Sequence, residues 1–205
     1  KHQIIVGNGA AELLYAICRL PGYTGAFVPA PGFSEYKEAL EASKIPVRDI
    51  FYRPREDDNE KPYFEVPYLA LETFAAELKG QDGRIIVFLG NPNNPDGTLL
   101  DKDHIRTVAS MLKDANSLLV IDESFIDFVG NDPLQDNEHS MRSLVNEFDN
   151  IIVVHSFTKF YAVPGLRIGA AFANETLITQ LQQYIPSWSV NTLAQAYTKS
   201  ALNDV

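Results

Sequence analysis

Along the chain, short wholly apolar runs alternate with stretches whose apolar residues recur every three or four positions. Residues 85–89, 118–121 and 151–155 carry almost nothing but Ile, Val, Leu and Phe. Such runs suit strands buried on both faces, as the central strands of a parallel sheet are. Shorter strand-like runs lie at 4–6, 25–28, 45–52 and 168–173. The last follows 151–155 so closely that it should run antiparallel to it. Helical periodicity marks 10–20 (Leu13, Leu14, Ile17, Leu20), 34–43 with Ser34 as N-cap, 69–78, 101–115 with Asp101 as cap, 175–184 and 192–202. The charged, proline-bearing stretch 56–67 reads as an exposed loop. The alternation predicts an α/β fold: a mainly parallel central sheet flanked by helices in three α/β/α layers.

Composition narrows the picture. The 205 residues are 45% hydrophobic, enough to enclose the core of one domain spanning 1–205. The formal net charge is −10, which disfavours nucleic acid as a partner. No apolar run approaches the roughly 20 residues that cross a bilayer, so no membrane role is expected. One cysteine, Cys18, rules out an internal disulfide and suits a reducing, cytoplasmic setting. Cys18 falls on the inner face of a helix and reads as a small core residue. His2, His104 and His139 lack partners at metal-ligand spacing, so no metal site is expected. His155 is assigned to packing, and Trp188 either borders a substrate pocket or packs in a core or interface. The chain starts at Lys1 without an initiator Met and reads as a segment of a longer protein.

Ligands of open α/β sheets bind beyond the carboxyl ends of the strands. Four polar segments fall there, after the runs ending at Val6, Leu89, Ile121 and His155. Gly7–Glu12 joins small residues to a helix start, where free backbone N–H groups attract an anion. A plain tight turn explains the same residues. A dinucleotide fingerprint would need an acidic residue about 20 positions on, where this chain has Val28, Pro29 and Ala30. Residues 91–97, Asn-Pro-Asn-Asn-Pro-Asp-Gly, form a turn of unusual composition. Asp122 is a carboxylate leaving an apolar strand and needs a partner, as a cap or structural ion pair also would. Ser156, Thr158 and Arg167 surround Lys159 with the hydroxyls and guanidinium that hold a phosphate beside an amine. A solvated surface lysine is the plainer alternative.

Four motifs occur in order: GNGAAE, NPNNPDG, DESF and SFTKFYAVPGLRIG. With them the sequence resembles the fold-type-I pyridoxal-phosphate enzymes of the class I/II aminotransferase superfamily, over nearly its whole length. Within it, TKFYAVPGLRIG, DESFIDF and PSWSVN look most like L-threonine-O-3-phosphate decarboxylases, with histidinol-phosphate aminotransferases next. The resemblance implies pyridoxal 5'-phosphate as cofactor and a Schiff base at Lys159. It implies that Asp122 pairs with the ring nitrogen and Asn94 donates to the phenolic oxygen. Phe33 would stack on the ring. The phosphate would be held by the backbone at Gly9, Ala10 and Ala11 with Ser156, Thr158 and Arg167. Phe125 stands where many aminotransferases have a tyrosine, so the Schiff-base nitrogen should have a higher pKa, which leans toward decarboxylation. The resemblance further implies a homodimer acting on a small phosphorylated amino acid or amine, in cobalamin biosynthesis if it is the decarboxylase. Relatives extend further at both ends, with an N-terminal arm and a C-terminal small domain whose arginine holds the substrate carboxylate. A truncated, non-catalytic cofactor-binding module is the remaining alternative.

Overall fold

Seven strands form one sheet in the order β1-β9-β8-β7-β6-β2-β3. The computed structural model describes residues 2–56, 62–77, 83–130 and 137–202. In chain order the elements are β1 (Ile4–Gly7), α1 (Gly9–Cys18), β2 (Tyr23–Ala30), α2 (Glu35–Ala42), β3 (Val47–Phe51), β4 (Arg53–Glu56), β5 (Pro62–Glu65) and α3 (Tyr68–Glu77). They continue with β6 (Arg84–Gly90), α4 (Lys102–Asp114), β7 (Leu118–Asp122), β8 (Ile151–Ser156), α5 (Phe157–Phe160), β9 (Gly169–Phe172), α6 (Glu175–Gln182) and α7 (Thr192–Ala201). Strands β3, β2, β6, β7 and β8 are mutually parallel. β9 is antiparallel to both β8 and β1, as its short connection from β8 requires.

Alternation along the strands splits the core in two. Ile86, Phe88, Leu118, Val120, Ile152 and Val154 face α1, α2 and α6. Ile85, Val87, Leu89, Leu119, Ile121, Ile151 and Val153 face α3, α4 and the 3-10 segment Arg142–Asn146. The expected three layers are therefore present, and each central strand is buried on both sides. A small third cluster of Ile168, Val190 and Ala194 seats α7 on the segment after α5.

Three local expectations change. The stretch read as an exposed loop, 56–67, contributes to an antiparallel hairpin of β4 and β5 (residues 57–61 lie outside the described part). Its residues are almost all exposed, so no buried alternating face marked it. Ser34 stands at the start of α2 but is already helical, and its side chain makes no capping bond. Asp101 does cap α4, accepting from the N–H groups of Asp103 and His104. Trp188 is exposed and lines neither core nor cleft. Cys18 is buried, and burial pushes its thiol up to about 12. Among the described residues, no helix is long and apolar enough to cross a membrane.

Candidate active site

Register places the expected residues together. Gly7 lies opposite Gly169, which lies opposite Ser156, so β1, β9 and β8 end side by side. On the other flank, Gly90 lies opposite Asp122, and Asp122 opposite Val154. A cleft opens across these ends. Ala10, Ala11, Phe33, Asn94, Asp122, Phe125, Ser156, Thr158, Lys159 and Arg167 all line it.

At one end the lining forms a cup. The Asn8 side chain does not cap α1, and the Asn8 N–H is taken by the Glu12 carboxylate at 2.6 Å. The amides of the first turn are thus left to face the cleft, with the helix dipole behind them. Gly9, at φ +84°, lies against the Arg167 guanidinium, and a Cβ there would collide with it. Ser156 Oγ and Thr158 Oγ1 are 2.8 Å apart, and the Ser156 hydroxyl also caps α5 through the Thr158 N–H. Backbone N–H groups, two buried hydroxyls and one guanidinium make a site for a dianionic phosphate. Arg167 is itself left-handed (φ +55°) and donates to the Pro164 carbonyl at 3.3 Å.

At the other end sits Asp122, buried at 6% exposure. One oxygen accepts from the Tyr36 hydroxyl at 2.9 Å. The other accepts from the N–H and hydroxyl of Ser124 at 2.9 and 2.6 Å. Every one of these donors is neutral, and among the described residues no cation pairs with Asp122. A nearly buried carboxylate with neutral donors and an open flank suits a cationic N–H brought by a ligand. Burial and then Asp122 push the Tyr36 phenol well above its ordinary value, so it remains a donor. Tyr36 stacks on Phe88 and meets Phe33 edge-on, which fixes Phe33 at the wall.

Between cup and carboxylate lies Lys159, whose amine is exposed to the cleft and sits 5.7 Å from the Phe125 ring centre. Asn94 reaches the cleft from the turn after β6. That turn is braced by Asn93, which donates to the Pro31 carbonyl and to Asp96. Sequence reading missed Tyr36, Ser124 and Pro92 as lining residues. Tyr36 had a weak signal: an aromatic in the first turn of a helix directly after Phe33, whose ring it meets edge-on.

Phosphate cup, amine, carboxylate and aromatic wall thus line one cleft. The model of the family "Aminotransferase class I and II" matches residues 1–205. The adenosylcobalamin biosynthesis bifunctional protein CobDQ of Leptospira interrogans is 35% identical, over 98% of this chain and 21% of that protein. A histidinol-phosphate aminotransferase of Thermoanaerobacter pseudethanolicus is 30% identical, over 98% of this chain and 51% of its own. The crystal structure of L-threonine-O-3-phosphate decarboxylase from Porphyromonas gingivalis superposes with a TM-score of 0.74 at 27% identity, covering 98% of this chain and 54% of that one. The chain thus spans about half the length of the second and third.

Proposed function

The chain belongs to the class I and II aminotransferase family, whose members depend on pyridoxal phosphate, and from that premise we propose that it is the cofactor-binding part of an enzyme acting on a phosphorylated amino acid or amine. The observation that carries this reading is the convergence of Lys159, Asp122 and the cup of Ala10, Ala11, Ser156, Thr158 and Arg167 on one cleft. Bound there, the cofactor supplies an electron sink for the bond broken at the substrate Cα. The chain's own groups do the rest. The cup would hold the phosphate. Asp122, a buried carboxylate that lines the cleft, would hold a proton on the ring nitrogen. Asn94 would donate to the phenolic oxygen, and Phe33 would lie against the ring face. The Lys159 amine, free in the cleft, would hold the cofactor through its aldehyde and would carry a proton to or from the substrate Cα.

The preferred reaction is decarboxylation of threonine phosphate, in adenosylcobalamin biosynthesis. It is supported by the likeness to CobDQ and to the Porphyromonas decarboxylase. It is supported too by Phe125, which gives the lysine nitrogen an aromatic face and no phenol donor. Likeness to a histidinol-phosphate aminotransferase favours transamination as the second reading. A homodimer in the cytoplasm belongs to the same reading and rests on the resemblance.

Added pyridoxal phosphate should give a lysine-dependent absorbance at about 410–430 nm, as expected of the cofactor joined to an amine. Lys159→Ala should abolish it. A band that survives Lys159→Ala overturns the assignment. CO₂ released from threonine phosphate by the full-length protein without a keto acid supports the lyase. A strict need for a keto acid supports the transferase, and a band without turnover supports a binding module.

A further inference from the structure

The cleft is made by one face of the β7 and β8 ends, and the opposite face carries a second polar cluster that the proposed chemistry does not use. Strand alternation sends Asp122 and Ser156 toward the cleft, and sends Glu123 and His155 the other way. His155 is 3% exposed, and its Nε2 lies 3.1 Å from an Asp127 carboxylate oxygen. Because a carboxylate only accepts, the proton between them sits on Nε2. The other ring nitrogen, Nδ1, is buried with no partner, so Asp127 is the contact that fixes the imidazole plane. The ring also meets Phe157 edge-on, at 4.9 Å between centres.

Placement gives this pair its meaning. Asp127 lies in the 3-10 turn Ile126–Phe128, two residues after Phe125. His155 lies one residue before Ser156 and four before Lys159. The pair therefore joins the turn that presents the aromatic wall to the strand end that presents the cup and the amine. Backbone bonding supplies one other tie there, from the Glu123 N–H to the Val154 carbonyl at 2.7 Å. That bond holds the start of the turn; further along, Asp127 meets His155, Phe128 meets Phe160 edge-on at 5.3 Å, and the Asn137 amide donates to the Ile126 and Val129 carbonyls. Around the pair stand Tyr161, from the turn after α5, and Arg142, which lies 3.8 Å from Glu123. Burial and then Asp127 push the Tyr161 phenol above its ordinary value, so Tyr161 stays neutral beside it.

We infer that the pair of buried His155 and half-buried Asp127 is a positioning device that helps set Phe125 against the Lys159 amine and hold the cup in register with that wall. The inference rests on the reading of Lys159 and the cup as a pyridoxal-phosphate site. A site held from behind tolerates little slack, because loosened supports misplace the groups they hold. Asp127→Ala should weaken pyridoxal-phosphate binding by about tenfold, the scale seen when supports of a bound group are removed. It should also move the pH midpoint of the lysine-dependent absorbance, since Phe125 is free to leave the amine. Asp127→Asn keeps an acceptor oxygen at the same reach and should stay within about twofold of wild type in affinity, because position and not charge is what the pair supplies. His155→Gln, which keeps a donor at similar reach, should behave likewise. If Asp127→Ala does not fold, Asp127→Ser is read in its place, its hydroxyl being too short to reach the imidazole. Normal affinity and an unmoved midpoint in Asp127→Ala or Asp127→Ser, whatever the melting temperature, would overturn the inference. So would a folded Asp127→Asn that binds as poorly as Asp127→Ala. Failure of the underlying reading looks different: wild type itself then shows no band, or one that Lys159→Ala retains.

Discussion

Asp122 and Glu123 are neighbours in the chain, both buried, and differ in everything that decides what a carboxylate does. Asp122 faces the cleft, with neutral donors on both oxygens and no paired cation among the described residues. Glu123 faces the other way and is fully enclosed. One of its oxygens accepts from the Met141 N–H at 2.5 Å and the Asn91 amide at 3.2 Å, and the other from the Ser140 hydroxyl at 2.6 Å. Arg142 stands 3.8 Å away. The two carboxylates accept a similar number of bonds. What separates them is that Glu123 has its cation and no way out, whereas Asp122 has a way out and no cation. The first arrangement knits two loops together, since Asn91 follows β6 and the Ser140–Arg142 stretch lies between β7 and β8. The second leaves a charge waiting for a ligand.

The comparison breaks most visibly at Asp122. Asp122→Asn keeps the shape but removes the charge, and turnover by the full-length enzyme should fall by about a hundredfold or more, the scale of losing one preorganised electrostatic partner. Melting should barely change. A large loss of stability with little loss of turnover would reverse the roles of the two residues. Glu123→Ala should do the opposite. It leaves the Ser140 hydroxyl and the Met141 N–H without their acceptor in a buried place, and denaturant unfolding should show a cost of about 3 kcal/mol. The smallest effect is in pH. Burial, the largest influence on Glu123, raises its carboxyl above the ordinary value, and its hydrogen-bond partners only partly offset this. A raised folded-state value means a stabilising contribution that is full below the unfolded value, about 4.3, and lost as pH rises through the folded one. The stability of wild type minus that of Glu123→Gln should therefore be greatest in acid and fall across that window. A difference that rises with pH would mean that Arg142 and the donors outweigh burial.

Much of this was legible in the sequence, for identifiable reasons. β6, β7 and β8 are buried on both faces, so their residues had to be apolar throughout, and that pattern is hard to mistake. The antiparallel β9 followed from the short connection before it. Site residues were visible because polar groups directly after apolar runs land at one edge of the sheet. The hairpin of β4 and β5 was not visible. Its exposed residues, with Pro54 and Pro62, carry no alternation, and its pairing rests on backbone bonds that do not depend on side-chain type. Tyr36 was hidden as a partner of Asp122 because the two are 86 residues apart and meet only after α2 packs on the sheet. The sorting of Asp122 from Glu123 was hidden for a subtler reason. Strand parity predicts opposite faces, but which face is the cleft depends on where the helices leave a gap.

The insertion of β9 between β1 and β8 has a consequence for how the molecule comes to be. Gly9 and Arg167 touch, though most of the chain lies between them, and Gly7 is brought level with Ser156 through Gly169. A ribosome releases the first turn of α1 long before it makes the residues that close the cup. Contacts so distant in sequence are slow to form, because a long loop must be closed before they return any energy. During synthesis the growing chain can hide its early helices against β2, β3 and β6, but it has nowhere to seat a phosphate. On the proposed reading of the cup, competence to take up the cofactor would come late, once Arg167 has been made and seated against Gly9.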